Sequence, residues 1–122
     1  MGYHPLNLAL RFLLELCVLI SSGYMMYVTQ EGALRYIGMI GFPLLLAAIW
    51  VIFAVRGDKS RSGNTVVPTR GLIRLLLELG FFCIGGLSIY KVGFELYVVP
   101  YALIVAGHYL ISYDRIAWLL KH

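Results

Sequence analysis

Charge is the scarcest property of this chain. Of its 122 residues, 13% are Asp, Glu, Lys or Arg, about half the share of a soluble domain. That scarcity excludes a disordered chain, an acidic or basic tail and a charge-laced coiled coil. Cysteine is scarce too. Cys17 and Cys83 make no disulfide framework and have no metal-ligand spacing, so both read as buried small apolar residues inside helices. Alternating polar and apolar segments of about ten residues are missing, which argues against a closed β-barrel. What is present is apolar: 61% hydrophobic residues and a mean hydropathy of +0.84. One core of this size cannot hide that much apolar surface, so the solvent it implies is lipid.

A bilayer core of about 30 Å needs roughly 20 helical residues. Tyr36 to Val55 is 20 residues without a charge, and Leu96 to Tyr113 is 18. Leu8 to Val28 is apolar except for Arg11 and Glu15, and Gly71 to Tyr90 except for Arg74 and Glu78. The expected architecture is an all-α integral membrane bundle of four transmembrane helices, near 8–28, 36–55, 71–90 and 96–113 or longer. Residues 1–122 form a single transmembrane domain. The first helix reads as a retained span, because a carboxylate interrupts its apolar run and Ser21-Ser22-Gly23 is followed by more apolar sequence. Residues 56–70, with Gly57, Ser60, Ser62, Gly63 and Asn64, read as a polar surface loop.

Lys and Arg concentrate at the ends and in this middle loop: Arg11, Arg56, Lys59, Arg61, Arg70, Arg74, Arg115 and Lys121, against Arg35 and Lys91 in the two short turns. The positive-inside rule therefore puts both termini and the 56–70 loop in the cytoplasm. The net charge of +4 is read as a topology signal. No nucleic-acid reading element accompanies it, whereas anionic lipid headgroups are a natural partner for the loop.

The sequence repeats itself. Residues 5–27 lie over 68–90 at a constant offset of 63, with identities at Pro5, Arg11, Leu13, Leu14, Glu15, Leu16, Gly23 and Tyr27. Arg, Glu, Gly and Pro are sparse in spans, so these matches carry weight. Leu46–Phe53 lies more weakly over Ile104–Ile111. The expectation is an internal duplication: two tandem helical hairpins, units 5–55 and 68–120, arranged as a parallel repeat about an axis along the membrane normal. Pro5 and Pro68 would each sit at or near the first turn of a helix.

Within each repeat an arginine precedes a glutamate by four residues, Arg11 with Glu15 and Arg74 with Glu78, so each pair shares a helical face. Ser22 and Gly23, and Gly85 and Gly86, continue the two stripes as small residues that let helices approach closely. From the rise per residue, both glutamates and His108 lie about 8–10 Å below the same boundary, with Trp50 level with them. Arg11, Glu15, Arg74, Glu78, His108 and Trp50 are the candidate polar layer. Each Arg–Glu pair can close within its own helix or cross to the other copy.

These residues resemble a known family. Asn7-Leu-Ala-Leu-Arg11-Phe-Leu-Leu-Glu15-Leu, Gly41-x-Pro43, Trp50-x-x-Phe53 and Arg74-Leu-Leu-Leu-Glu78-Leu are similar to the YrdB family of small bacterial membrane proteins. The resemblance covers nearly the whole chain, and the middle loop departs from it. It implies a bacterial cytoplasmic-membrane protein of four helices and no particular activity. Small multidrug-resistance exporters are similar only in size. They carry a glutamate in the first helix, but the arginine before Glu15 would neutralise the carboxylate a cationic drug needs.

The functional expectation is a non-enzymatic, multi-pass structural or assembly component held by intramembrane Arg–Glu pairs. The alternative is a proton-coupled small transporter or channel subunit using Glu15 and Glu78, and third is a membrane enzyme or redox accessory. No nucleophile–base pair, metal set or phosphate loop is present in the sequence, and no cofactor is expected. A homodimer is open, because Ala102 and Ala106 offer a small-residue face that suits either a second copy or packing within one chain.

Overall fold

Apolar runs become helices, and the turns fall where glycine allows them. The computed structural model describes residues 3–58 and 65–122. Most of the described chain is helical: α1 (Pro5–Thr29), α2 (Ala33–Ile52), α3 (Gly71–Lys91), α4 (Val98–Ile111) and α5 (Tyr113–Leu120), with a 3-10 turn at Glu95–Tyr97. Pro5 opens α1 at its first position, where its missing N–H costs nothing, and the His4 ring accepts a hydrogen bond from the Leu6 N–H. Gly32 and Gly93 take positive φ of 62° and 92° in the two short turns, a conformation that any side chain would resist.

With 25, 20 and 21 residues, α1, α2 and α3 are each about 30 Å long or more, enough to cross a bilayer. A fourth crossing is available only if α4, with its leading turn, and α5 count together, and these are bent by 69°. The chain thus has three or four helices able to span a membrane. The outward faces fit this, with Leu13, Ile20, Ile37, Leu44, Leu76, Leu87, Leu103 and Leu110 exposed. In water such a surface would drive aggregation.

The structure departs from expectation in several places. The fourth helix is not continuous to residue 113. It breaks at Ser112, whose hydroxyl and N–H both bond the His108 carbonyl, and the turn swings α5 back onto α3. The second helix stops at Ile52, because Phe53–Ala54 (β1) pairs in parallel with Val67–Pro68 (β2). Pro68 is therefore a strand residue three positions before α3, not a helix-opening proline. Within the 56–70 segment Asp58 is buried, whereas Arg56 and Arg70 are exposed. Lys59, Ser60, Arg61, Ser62, Gly63 and Asn64 lie outside the described residues. The cysteines are less buried than expected, with Cys17 half-buried and Cys83 exposed.

Helices α1 and α3 lie at the centre. The first packs along α2 and α3, whereas α2 and α3 scarcely meet. Leu14, Val18, Leu46, Phe81, Phe82, Ile89, Tyr101 and Tyr109 form the apolar core. Trp50, Phe81, Phe82 and Tyr109 stack through it, with ring centroids 4.5–5.9 Å apart. Small residues set the close approaches. A Cβ on Gly23 would lie 2.8 Å from the Met39 carbonyl oxygen, and one on Gly85 would meet Tyr101 and Val18 at 2.5–2.6 Å. At Gly86 the space is ordinary, and Ser22 is buried with its hydroxyl on the Leu19 carbonyl. The two stripes thus meet different neighbours: Gly23 faces α2, and Gly85 faces α1 and α4.

Candidate functional site

Glu78 sits in the middle of α3 with no exposed surface. A buried carboxylate must be compensated, because its desolvation costs several kcal/mol. Three arginines and a tyrosine meet it. Arg74, one turn earlier, donates from Nε to Oε2 at 2.8 Å. Arg11 crosses from α1 to Oε2 at 2.9 Å. Arg115 reaches up from α5 and donates to both carboxylate oxygens, at 2.8 and 2.7 Å. Tyr109 of α4 donates its hydroxyl to Oε1 at 2.9 Å. Four helices converge on one carboxylate.

The second copy of the motif has different surroundings. The Arg11 Nε lies 3.5 Å from Glu15, and the Glu15 side chain keeps 21% of its surface exposed. Both bonding modes open at the sequence level therefore occur: Arg74–Glu78 and Arg11–Glu15 within helices, and Arg11–Glu78 between them. Duplicated residues are not duplicated sites.

Each arginine does more than neutralise Glu78. Arg74 donates to the Trp50 and Phe53 carbonyls, at 2.6 and 2.5 Å. These belong to the C-terminal end of α2, where carbonyls lack partners within the helix and a cation suits the dipole. Thr65 completes the same end by donating to the Ile52 carbonyl. Arg115 also holds Asp58, Nη2 to Oδ2 at 2.7 Å, and Asp58 is fully buried. Three guanidinium groups thus face the carboxylates of Glu15, Glu78 and Asp58, so the cluster is formally neutral. Trp50 lies beside it, with the Arg11 and Arg74 guanidinium carbons 5.0 and 4.4 Å from its ring centroid, in the range of cation–π attraction. Tyr3 lies at the edge, its phenol held above the ordinary range by burial and by the charge of Asp58.

His108 belongs to an adjoining network. The Asn7 amide NH2 donates to the Ser112 hydroxyl at 2.7 Å, which leaves its Oδ1 facing His108 Nδ1 at 2.9 Å. His108 therefore donates from Nδ1 as the geometry is assigned. Its ring packs 5.2 Å from that of Tyr109, the residue that bonds Glu78. The two networks touch through aromatic packing.

Of the residues singled out from sequence, Arg11, Arg74, Glu78 and Trp50 come together, Glu15 lies at the rim and His108 next door. Asp58, Tyr109, Arg115, Asn7 and Ser112 were not singled out. A signal existed for one of them: Asp58 is the lone acid in the basic stretch 56–70. Chemically the arrangement is a buried, charge-paired cluster in which both Glu78 oxygens accept hydrogen bonds. Among the described residues no three His, Cys, Asp or Glu side chains gather to hold a metal ion.

The chain matches the family DUF2568, described as "Protein of unknown function", over residues 9–109. It is 36% identical over 115 residues to "Uncharacterized protein YrdB" of Bacillus subtilis (strain 168), covering 94% of each chain. No solved structure matches it.

Proposed function

The chain belongs to the DUF2568 family, and on that premise we propose that it is a non-enzymatic, multi-pass protein of the bacterial cytoplasmic membrane. Its Arg–Glu cluster locks the helices into one arrangement, so that the lipid-facing surface is presented for assembly, with a second copy or another membrane protein. Both termini and the 56–70 segment face the cytoplasm in this proposal, and the two repeats form tandem hairpins.

One observation carries the role given to the cluster: Glu78 has no exposed surface, and three arginines and a tyrosine occupy both its oxygens. A carboxylate that carries protons needs water and room to lose its partners. This one has no exposed surface and both oxygens held, and a buried network of this kind favours a unique packing.

The second reading is proton-coupled transport, favoured by the partial exposure of Glu15, which lies 3.5 Å from the Arg11 Nε. Purified protein in liposomes with a pH-sensitive dye inside separates the two. The structural role expects proton leak at the level of protein-free liposomes, unchanged by Glu15→Gln. Flux that requires the protein and is abolished by Glu15→Gln would establish transport instead.

A further inference from the structure

The middle segment sorts its charges by direction. Between residues 56 and 70 the sequence has one acid, Asp58, and it turns inward to Arg115 with no surface exposed. The basic residues described there, Arg56 and Arg70, stay on the outside. They line one open cavity of 480 Å³ together with His122, Thr69, Val55 and Pro68. Among the described residues no Asp or Glu side chain lines it. The volume is ample for a phosphate group, and the two arginines offer planar forks that match phosphate oxygens.

Its level in the molecule selects the source of the phosphate. The cavity lies just past the end of α2, at Ile52, and just before the start of α3, at Gly71. Apolar helices end where lipid headgroups begin. On the other side α5 is bent 69° from α4, and its Trp118 stacks on His122 with ring centroids 4.0 Å apart, an amphipathic ring of the kind favoured at membrane interfaces.

We propose that the cavity lined by Arg56, Arg70 and His122 binds the phosphate of an anionic phospholipid headgroup in the leaflet at that end of α2 and α3. The inward pairing of Asp58 with Arg115 keeps its carboxylate off this wall, where Arg56 and Arg70 are the charged side chains described. The site does not depend on what the Glu78 cluster is for.

The test titrates the full chain in detergent with dioleoyl phosphatidylglycerol and, separately, dioleoyl phosphatidylcholine, counting retained lipid by native mass spectrometry. An arginine near an anionic surface contributes about fivefold in affinity, so the pair gives a preference for phosphatidylglycerol of about 25-fold. Arg56→Gln with Arg70→Gln brings the two lipids close to parity, each single change loses about fivefold, and Lys91→Gln at the opposite end changes nothing. A preference that survives the double change, or that Lys91→Gln reduces equally, overturns the site. If the double variant fails to fold, the two single variants decide by the same measure. Inorganic phosphate added at the lipid concentration leaves the retained lipid unchanged, and displacement by it would make the ligand a soluble phosphate and overturn the lipid assignment.

Discussion

Glu15 and Glu78 occupy equivalent places in the repeat, yet only Glu78 is enclosed. Removing one partner of a buried ion network strands the others, which costs about 3–5 kcal/mol. Glu78→Gln is therefore expected to lose several kcal/mol of unfolding free energy and Glu15→Gln, whose carboxylate is less enclosed, measurably less. Denaturant unfolding in mixed micelles measures both, and equal losses would contradict the asymmetry. The i,i+4 spacing alone made Arg11, Glu15, Arg74 and Glu78 legible, because helical periodicity is a local property. Arg115 was not legible. It read as a charge at a chain end, and its partners Glu78 and Asp58 lie 37 and 57 positions away.

The helices α1, α2 and α3 follow from their apolar runs, and their ends fall close to where charge and glycine put them. The bend between α4 and α5 is different, because residues 96–113 carry no charged side chain and place neither glycine nor proline at the break at Ser112. What turns the chain there is tertiary: Arg115 is satisfied only if α5 comes back to α3. Gly71 is the contact that permits it, since a Cβ at that position would overlap the Leu119 backbone. Gly71→Ala should therefore loosen α5, costing about 1–3 kcal/mol as an overpacked contact, and speed amide exchange across residues 113–120. Gly80→Ala, which points into open space, should stay within about 0.5 kcal/mol of the wild type. Exchange in α5 that ignores Gly71→Ala would show that the helix is not held there.

At the scale of the whole molecule, the apolar exterior is the dominant physical fact, and Cys83 provides a native probe of it. Cys83 is exposed on α3 among apolar neighbours. In a Cys17→Ser background and intact vesicles, a lipid-soluble pyrene maleimide should label Cys83, while a charged, water-soluble maleimide should fail until detergent is added. Rapid labelling by the charged reagent in intact vesicles would place that face of α3 in water.

The sequence by itself determined the apolar composition, the long helices and the repeated Arg–Glu spacing, since composition and periodicity act residue by residue and need no partner. Only the tertiary structure decided which glutamate became the centre, that α4 breaks, and that Asp58 turns inward while Arg56 and Arg70 remain outside. Identical stretches present identical faces, but what comes to meet a face is set by distant chain. Here α5 and the 53–58 segment close on the α3 copy, and the desolvation of Glu78 makes every donor that reaches it obligatory.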